Sequence, residues 1–181
     1  MGTQSNEFFE GRMPLDELGY RATIDSVHAK IHDGNHFNTS HYEKVGAASA
    51  VNVMVTAPAT GQYHFVAEFG TDGPGLFTLS KAPDIDATGG TVLVGYNNDE
   101  TASADTALVH VADPTYVSSG TVLEKYVIGG SAGIGANKVV VGAVGNTRNE
   151  WLFAPSSVHL LRWVADLASC RTAIRTYFYK E

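Results

Sequence analysis

Apolar residues recur at every second position along this chain, and that period limits what it can fold into. Val51, Val53 and Val55 alternate with Asn52, Met54 and Thr56, and Phe65, Ala67 and Phe69 alternate with His64, Val66 and Glu68. Successive side chains of an extended strand point to opposite faces, so each segment can cover a core with one face. Val, Thr, Tyr and Gly recur where a helical protein would carry stronger helix formers. Further strands are expected over residues 23–32, 35–42, 76–80, 91–96, 106–112, 121–128, 138–143, 150–153, 159–165 and 172–179. Asp33-Gly34-Asn35, Ala59-Thr60-Gly61, Asp72-Gly73-Pro74-Gly75, Gly89-Gly90, Asn97-Asn98-Asp99 and Gly145-Asn146 fall between these runs. Gly and Asn tolerate positive φ, so these stretches read as turns. Many short strands punctuated in this way predict an all-β fold, an antiparallel β-sandwich of jelly-roll type. No internal repeat points to a propeller.

Residues 1–22 lack the alternation and read as an N-terminal arm ahead of a sandwich domain spanning 23–181. Within the arm, Met13-Pro14-Leu15-Asp16-Glu17-Leu18-Gly19 suggests one helical turn, with Pro near its start and Gly at its stop. Phe8, Phe9, Met13, Leu15, Leu18 and Tyr20 are too apolar for a free tail and must be buried against something. A neighbouring molecule is the expected partner; the arm's own sandwich is the alternative. The 181 residues suit one domain, and 44% hydrophobic residues suffice for a core, which excludes a disordered tail or a small disulfide-stapled scaffold.

Twelve Lys and Arg against nineteen Asp and Glu give a net charge of −7, which argues against nucleic acid as a partner. Between Lys81 and Lys125 every charged residue is acidic: Asp84, Asp86, Asp99, Glu100, Asp105, Asp113 and Glu124. From Lys138 onward Lys138, Arg148, Arg162, Arg171, Arg175 and Lys180 outnumber Glu150, Asp166 and Glu181. Solvated loops are the ordinary reading of such runs; faces of opposite sign are the other. Neither a signal peptide nor an apolar span of membrane length is visible, so no membrane partner is expected.

No catalytic, cofactor-binding or metal-binding residue can be assigned, and a non-enzymatic protein is expected. His28, His32 and His36 stand four apart, but cupins use a His-x-His pair followed by Glu, and Asp33-Gly34 should turn the chain before His36. They read as surface or sheet-face histidines, and a chelator is expected to leave the melting temperature in place. Gly129-Gly130-Ser131-Ala132-Gly133-Ile134-Gly135 lacks both the Lys-Ser/Thr ending and the following helix of a phosphate-binding loop, so it reads as a hairpin loop. Cys170, the only cysteine, permits no internal disulfide or Cys-based zinc site, and without a positioned base it is no nucleophile. Asp84 and Asp86 read as a solvated loop. Trp151 and Trp163 are expected in the core. On the last strand Ile174, Thr176 and Phe178 share one face while Arg175, Tyr177 and Tyr179 share the other. Tyr and Arg favour protein interfaces, and aromatic platforms also bind sugars.

Ile31-His32-Asp33-Gly34-Asn35-His36-Phe37, Gly120-Thr121-Val122-Leu123 before a Gly-rich hairpin, Asn149-Glu150-Trp151-Leu152-Phe153, Leu160-Leu161-Arg162 and the terminal Tyr177-Phe178-Tyr179-Lys180-Glu181 occur in that order. From about Thr23 to the C-terminus the chain resembles a group of tailed-bacteriophage virion structural proteins, regarded as capsid decoration or cement proteins. The resemblance implies a jelly-roll sandwich made in the host cytoplasm, assembling commonly as a homotrimer and seated on the outer face of an icosahedral head. The major capsid protein and sister copies would be its partners. The apolar arm and the Arg175, Tyr177 and Tyr179 face would supply the contacts. Two alternatives stand beside it. A carbohydrate-binding module or tail-fibre-type receptor-binding domain would use the Tyr177 and Tyr179 face, and a cupin-like enzyme would bind metal through His28, His32 or His64.

Overall fold

A computed structural model describes residues 31, 33–84, 89–101, 108–128, 143–146, 150–166 and 170–180. The arm with Phe8, Phe9, Met13, Leu15, Leu18 and Tyr20, its expected helical turn, His28, His32, Asp86 and the glycine-rich 129–135 loop lie outside the described residues.

Every element among the described residues is a strand: β1 (His36–Val45), β2 (Ala50–Thr56), β3 (Tyr63–Thr71), β4 (Gly75–Lys81), β5 (Thr91–Leu93), β6 (Tyr96–Asn97), β7 (Val109–Ala112), β8 (Thr121–Ile128), β9 (Ala143–Asn146), β10 (Trp151–Phe153), β11 (Val158–Ala165) and β12 (Cys170–Lys180). Burial alternates strictly along β2 and β3, with Val51, Val53 and Val55 and then Phe65, Ala67 and Phe69 facing inward. Only the inward set is shielded from water, and that fixes the register of each strand.

All pairings are antiparallel and fall into two six-stranded sheets. One runs β10-β3-β12-β1-β6, with β9 also paired to β3; the other runs β5-β7-β2-β11-β4-β8. The pairs nest: β1 with β12, β2 with β11, β3 with β9 and β10, and β4 with β8. A long antiparallel ladder rolled up so that alternate pairs enter opposite sheets is the jelly-roll arrangement. The stretch from β5 to β7 is an insertion between β4 and β8. It adds β7 and β5 beyond β2 and β6 beyond β1.

Two expectations need correction. The run 91–96 is not one strand, because the chain leaves the second sheet after Leu93 and joins the first at Tyr96. Gly145-Asn146 is not a turn; both residues belong to β9 and pair with Phe69 and Glu68. β1 also continues past Tyr42 to Val45, through the polar Glu43 and Lys44.

The core lies between the sheets. Phe65, Phe69 and Phe178 from the first sheet meet Phe77, Leu79, Leu161 and Trp163 from the second, all at most 1% exposed. The Phe69 and Phe77 ring centroids are 3.7 Å apart across the interface. Burial of each such side chain contributes about 1.5–3 kcal/mol. Gly75 is there because a Cβ would sit 2.6 Å from the Trp163 ring and 2.5 Å from the Val164 carbonyl. Trp163 is thus a core residue as expected, whereas Trp151 is half-buried, packs at the core margin and donates from Nε1 to Glu124 Oε2 at 3.1 Å.

Polar groups enter this core as well, His110 among them. His110 on β7 is buried beside Phe178, 5.2 Å between centroids, and its pKa is pushed down to about 4 by desolvation, which outweighs the opposing bond to the Leu108 carbonyl. A carbonyl can only accept, so Nδ1 carries the proton toward Leu108 at 3.2 Å and Nε2 accepts from the Thr176 hydroxyl at 3.0 Å.

Candidate functional site

The outward face of the β3-β12-β1 sheet is built by register. Tyr179 on the central strand lies between His64 and His36, Tyr177 between Val66 and Asn38, Arg175 between Glu68 and Ser40, and Ala173 between Gly70 and Tyr42. Directly opposed residues point to the same side of a sheet, so these four rows form one continuous surface. Arg175, Tyr177 and Tyr179 share it as the sequence predicts, while Ile174, Thr176 and Phe178 point into the core.

Hydrogen bonds hold the surface. The His64 ring stacks on Tyr179 at 4.4 Å, and both reach Glu150: His64 Nδ1 lies 2.9 Å from Oε1, and the Tyr179 hydroxyl donates to the same oxygen. The Tyr177 hydroxyl donates to Glu68 Oε2 at 3.1 Å and accepts from Arg175 Nη1 at 3.2 Å. The bond to Tyr177 raises the pKa of a guanidinium that is charged in any case. His36 accepts at Nδ1 from the Asn98 amide at 2.7 Å, and burial lowers its pKa, which favours a neutral ring. Asn38 in turn donates to Asn98 Oδ1 at 2.5 Å.

At one end the surface dips into a shallow depression of about 380 Å³ lined by Ser40, Tyr42, Glu68, Gly70, Ala173 and Arg175. Gly70 and Ala173 make the floor low, and nothing lies within 4 Å of where a Gly70 Cβ would stand. Tyr42, 63% exposed, stands at its edge. The face therefore offers phenols, neutral imidazole, guanidinium and carboxylates in fixed positions. Groups already held by internal bonds lose little rotamer entropy when a partner docks.

Of the histidines weighed as metal ligands, His36 and His64 flank Tyr179 from opposite sides, each with its own partner. Tyr42, Glu68 and Glu150 belong to the site but were not singled out in the sequence. For Glu68 a signal existed, since it shares the outward set of β3 with His64. Cys170 is buried, and Gly73 packs so closely that a Cβ there would lie 2.2 Å from its Sγ. Asp84, Glu100 and Asp113 are exposed, as the solvated-loop reading expects.

The second sheet carries a more apolar outer depression of about 550 Å³, lined in part by Met54, Val92, Val111, Val158, Pro83 and Pro114. Val92 in its lining is 68% exposed, and Val94 and Tyr96, where the chain crosses to the first sheet, are each 61% exposed. Among the described residues no helix is long and apolar enough to cross a membrane. In comparisons with known proteins, no family model and no curated protein matches this sequence.

Proposed function

We propose that this protein is a non-enzymatic virion component, a decoration or cement protein that binds the outer surface of a tailed-phage head and stabilises it. The observation that carries the reading is the hydrogen-bonded Arg175-Tyr177-Tyr179 face, a broad surface laid on the three-stranded centre of a rigid sheet. Cementing a shell needs a fixed patch that holds a partner and a core stiff enough to transmit the load. Tyr and Arg anchors on regular strands meet the first need, and the nested jelly roll, an architecture used by viral capsid domains, meets the second. The resemblance at the terminal Tyr177-Phe178-Tyr179-Lys180-Glu181 supports the same reading. Exposed Val92, Val94 and Tyr96 give self-association an apolar edge, in keeping with a homotrimer.

Co-sedimentation with purified phage heads tests the proposal. The protein is expected to pellet with heads, and the Arg175→Ala/Tyr177→Ala pair to lose attachment while melting as the parent does. Failure of the parent protein to pellet with any head preparation would count against it. A carbohydrate-binding or tail-fibre-type reading draws on the depression beside Tyr42, whose ring is free to stack on a sugar. It predicts defined hits on a glycan array that vanish in Tyr42→Ala.

A further inference from the structure

The inward face of β1 breaks the pattern that the other long strands keep. Phe37, Thr39 and Val45 on that face are buried, yet His41 and Glu43 stand between them. His41 is opposite Ile174 and Glu43 opposite Thr172, both on the buried side of β12, so the two polar side chains leave the strand on its inward face at the margin of the sandwich, 17% and 37% exposed. Asp113 meets them from the other sheet. It follows β7 with a left-handed φ of 49°, and its N–H donates to the Asn52 carbonyl on β2 at 2.9 Å. His41 Nε2 lies 3.6 Å from Glu43 Oε2 and 3.6 Å from Asp113 Oδ2, and one donor atom from each of the three residues falls within 4.8 Å of the others.

A second observation points to an occupant. His41 Nε2 and Glu43 Oε2 are shielded from solvent but make no hydrogen bond. Thr172 Oγ1 is likewise unpartnered, on a residue only 1% exposed. Thr172 is the register partner of Glu43. Polar atoms do not stay buried and unpaired without cost, so His41 Nε2 and Glu43 Oε2, facing one gap with Asp113 Oδ2, call for a group that all can bind. Two carboxylates and an imidazole select a divalent cation. Donors spaced 3.6 Å apart fit metal–ligand bonds of about 2.1 Å at a near-tetrahedral angle. One nitrogen among oxygens suits Zn2+ or Mn2+ better than Ca2+, which prefers oxygen alone.

We infer that His41, Glu43 and Asp113 form a site for a divalent transition-metal cation at the margin between the sheets, Zn2+ foremost. A bound ion would tie the β1 side of one sheet to the β7 end of the other. This departs from the sequence-based expectation of no metal, which weighed His28, His32, His36 and His64 and had no means of bringing Asp113 to His41.

The test is calorimetric titration of chelator-treated full-length protein with ZnCl2, alongside thermal melts. One Zn2+ per chain is expected to bind and to raise the melting temperature by several degrees. Glu43→Gln and Asp113→Asn should each weaken binding about tenfold or more, while the metal-free variants melt within about 2 °C of the parent. Co2+ should give visible d–d absorption bands that disappear in His41→Ala. His64→Ala should leave binding unchanged. The inference is overturned if no saturable heat or melting shift appears, as expected where water alone bridges the three atoms. It is equally overturned if binding survives Glu43→Gln and Asp113→Asn but is lost with His64→Ala.

Discussion

A histidine packed against Phe178 with its nitrogens turned to Leu108 and Thr176 can take up a proton only by reversing the bond with the Thr176 hydroxyl and placing a charge in the core. His159 is in a related position: it stacks on Phe153 at 3.7 Å, and burial, reinforced by Lys81, pushes its pKa down to about 4. Both folded pKa values lie below the ordinary 6.5, so between those limits the unfolded chain binds more protons than the folded one. The stability that these histidines supply in neutral form is therefore complete above pH 6.5 and is lost progressively as the pH falls toward 4. A displacement of this size corresponds to about 3 kcal/mol per histidine. Melting temperature is expected to be flat from pH 8 to about 7 and to fall between about pH 6.5 and 5, before most carboxylates titrate. His110→Gln should flatten that fall whatever its own baseline stability. An unchanged melting temperature down to pH 5 would contradict the assignment.

At the scale of single strands, two glycines separate packing from conformation. Gly75→Ala drives a methyl into Trp163 and the Val164 carbonyl and is expected to cost about 1–3 kcal/mol in urea unfolding with an unchanged m-value. Gly70→Ala, in the open floor of the Tyr42 depression, has nothing within 4 Å and should lie within about 0.5 kcal/mol of the parent. Equal effects at the two positions would refute the packing account. The same strands show what alternation can reveal. β2, β3, β11 and β12 were legible because one face of each is more deeply buried than the other. The break at Val94-Gly95 was illegible because moving from one sheet to the other need not interrupt the alternation. Gly145-Asn146 has turn chemistry but is held in β9 by the exposed edge of β3, a tertiary demand that local propensity does not encode. The Arg175, Tyr177 and Tyr179 face followed from one strand's period. Glu150, which binds both His64 and Tyr179, comes from another segment, and no spacing rule announces it.

For the whole molecule, the proposed cement role gives the arm, residues 1–22, the task of docking on a sister copy or on the capsid. Deleting residues 1–22 is expected to leave the melting temperature of the sandwich within about 2 °C of the parent while abolishing trimer formation by light scattering or attachment to heads. Aggregation or unfolding of the truncated chain would instead make the arm part of its own core. The nested ladder also has a consequence for synthesis. β12 is inserted between β1 and β3, which have no direct pairing, so the first sheet has a gap at its centre until residues near 180 are available. As the chain leaves the ribosome, neither β1 nor β3 can make its pairing with β12 until that last strand has emerged. Such long-range closure is slow, on the order of milliseconds to seconds. A nascent chain released before Cys170 would present two strand edges ready to capture the same segment from another copy.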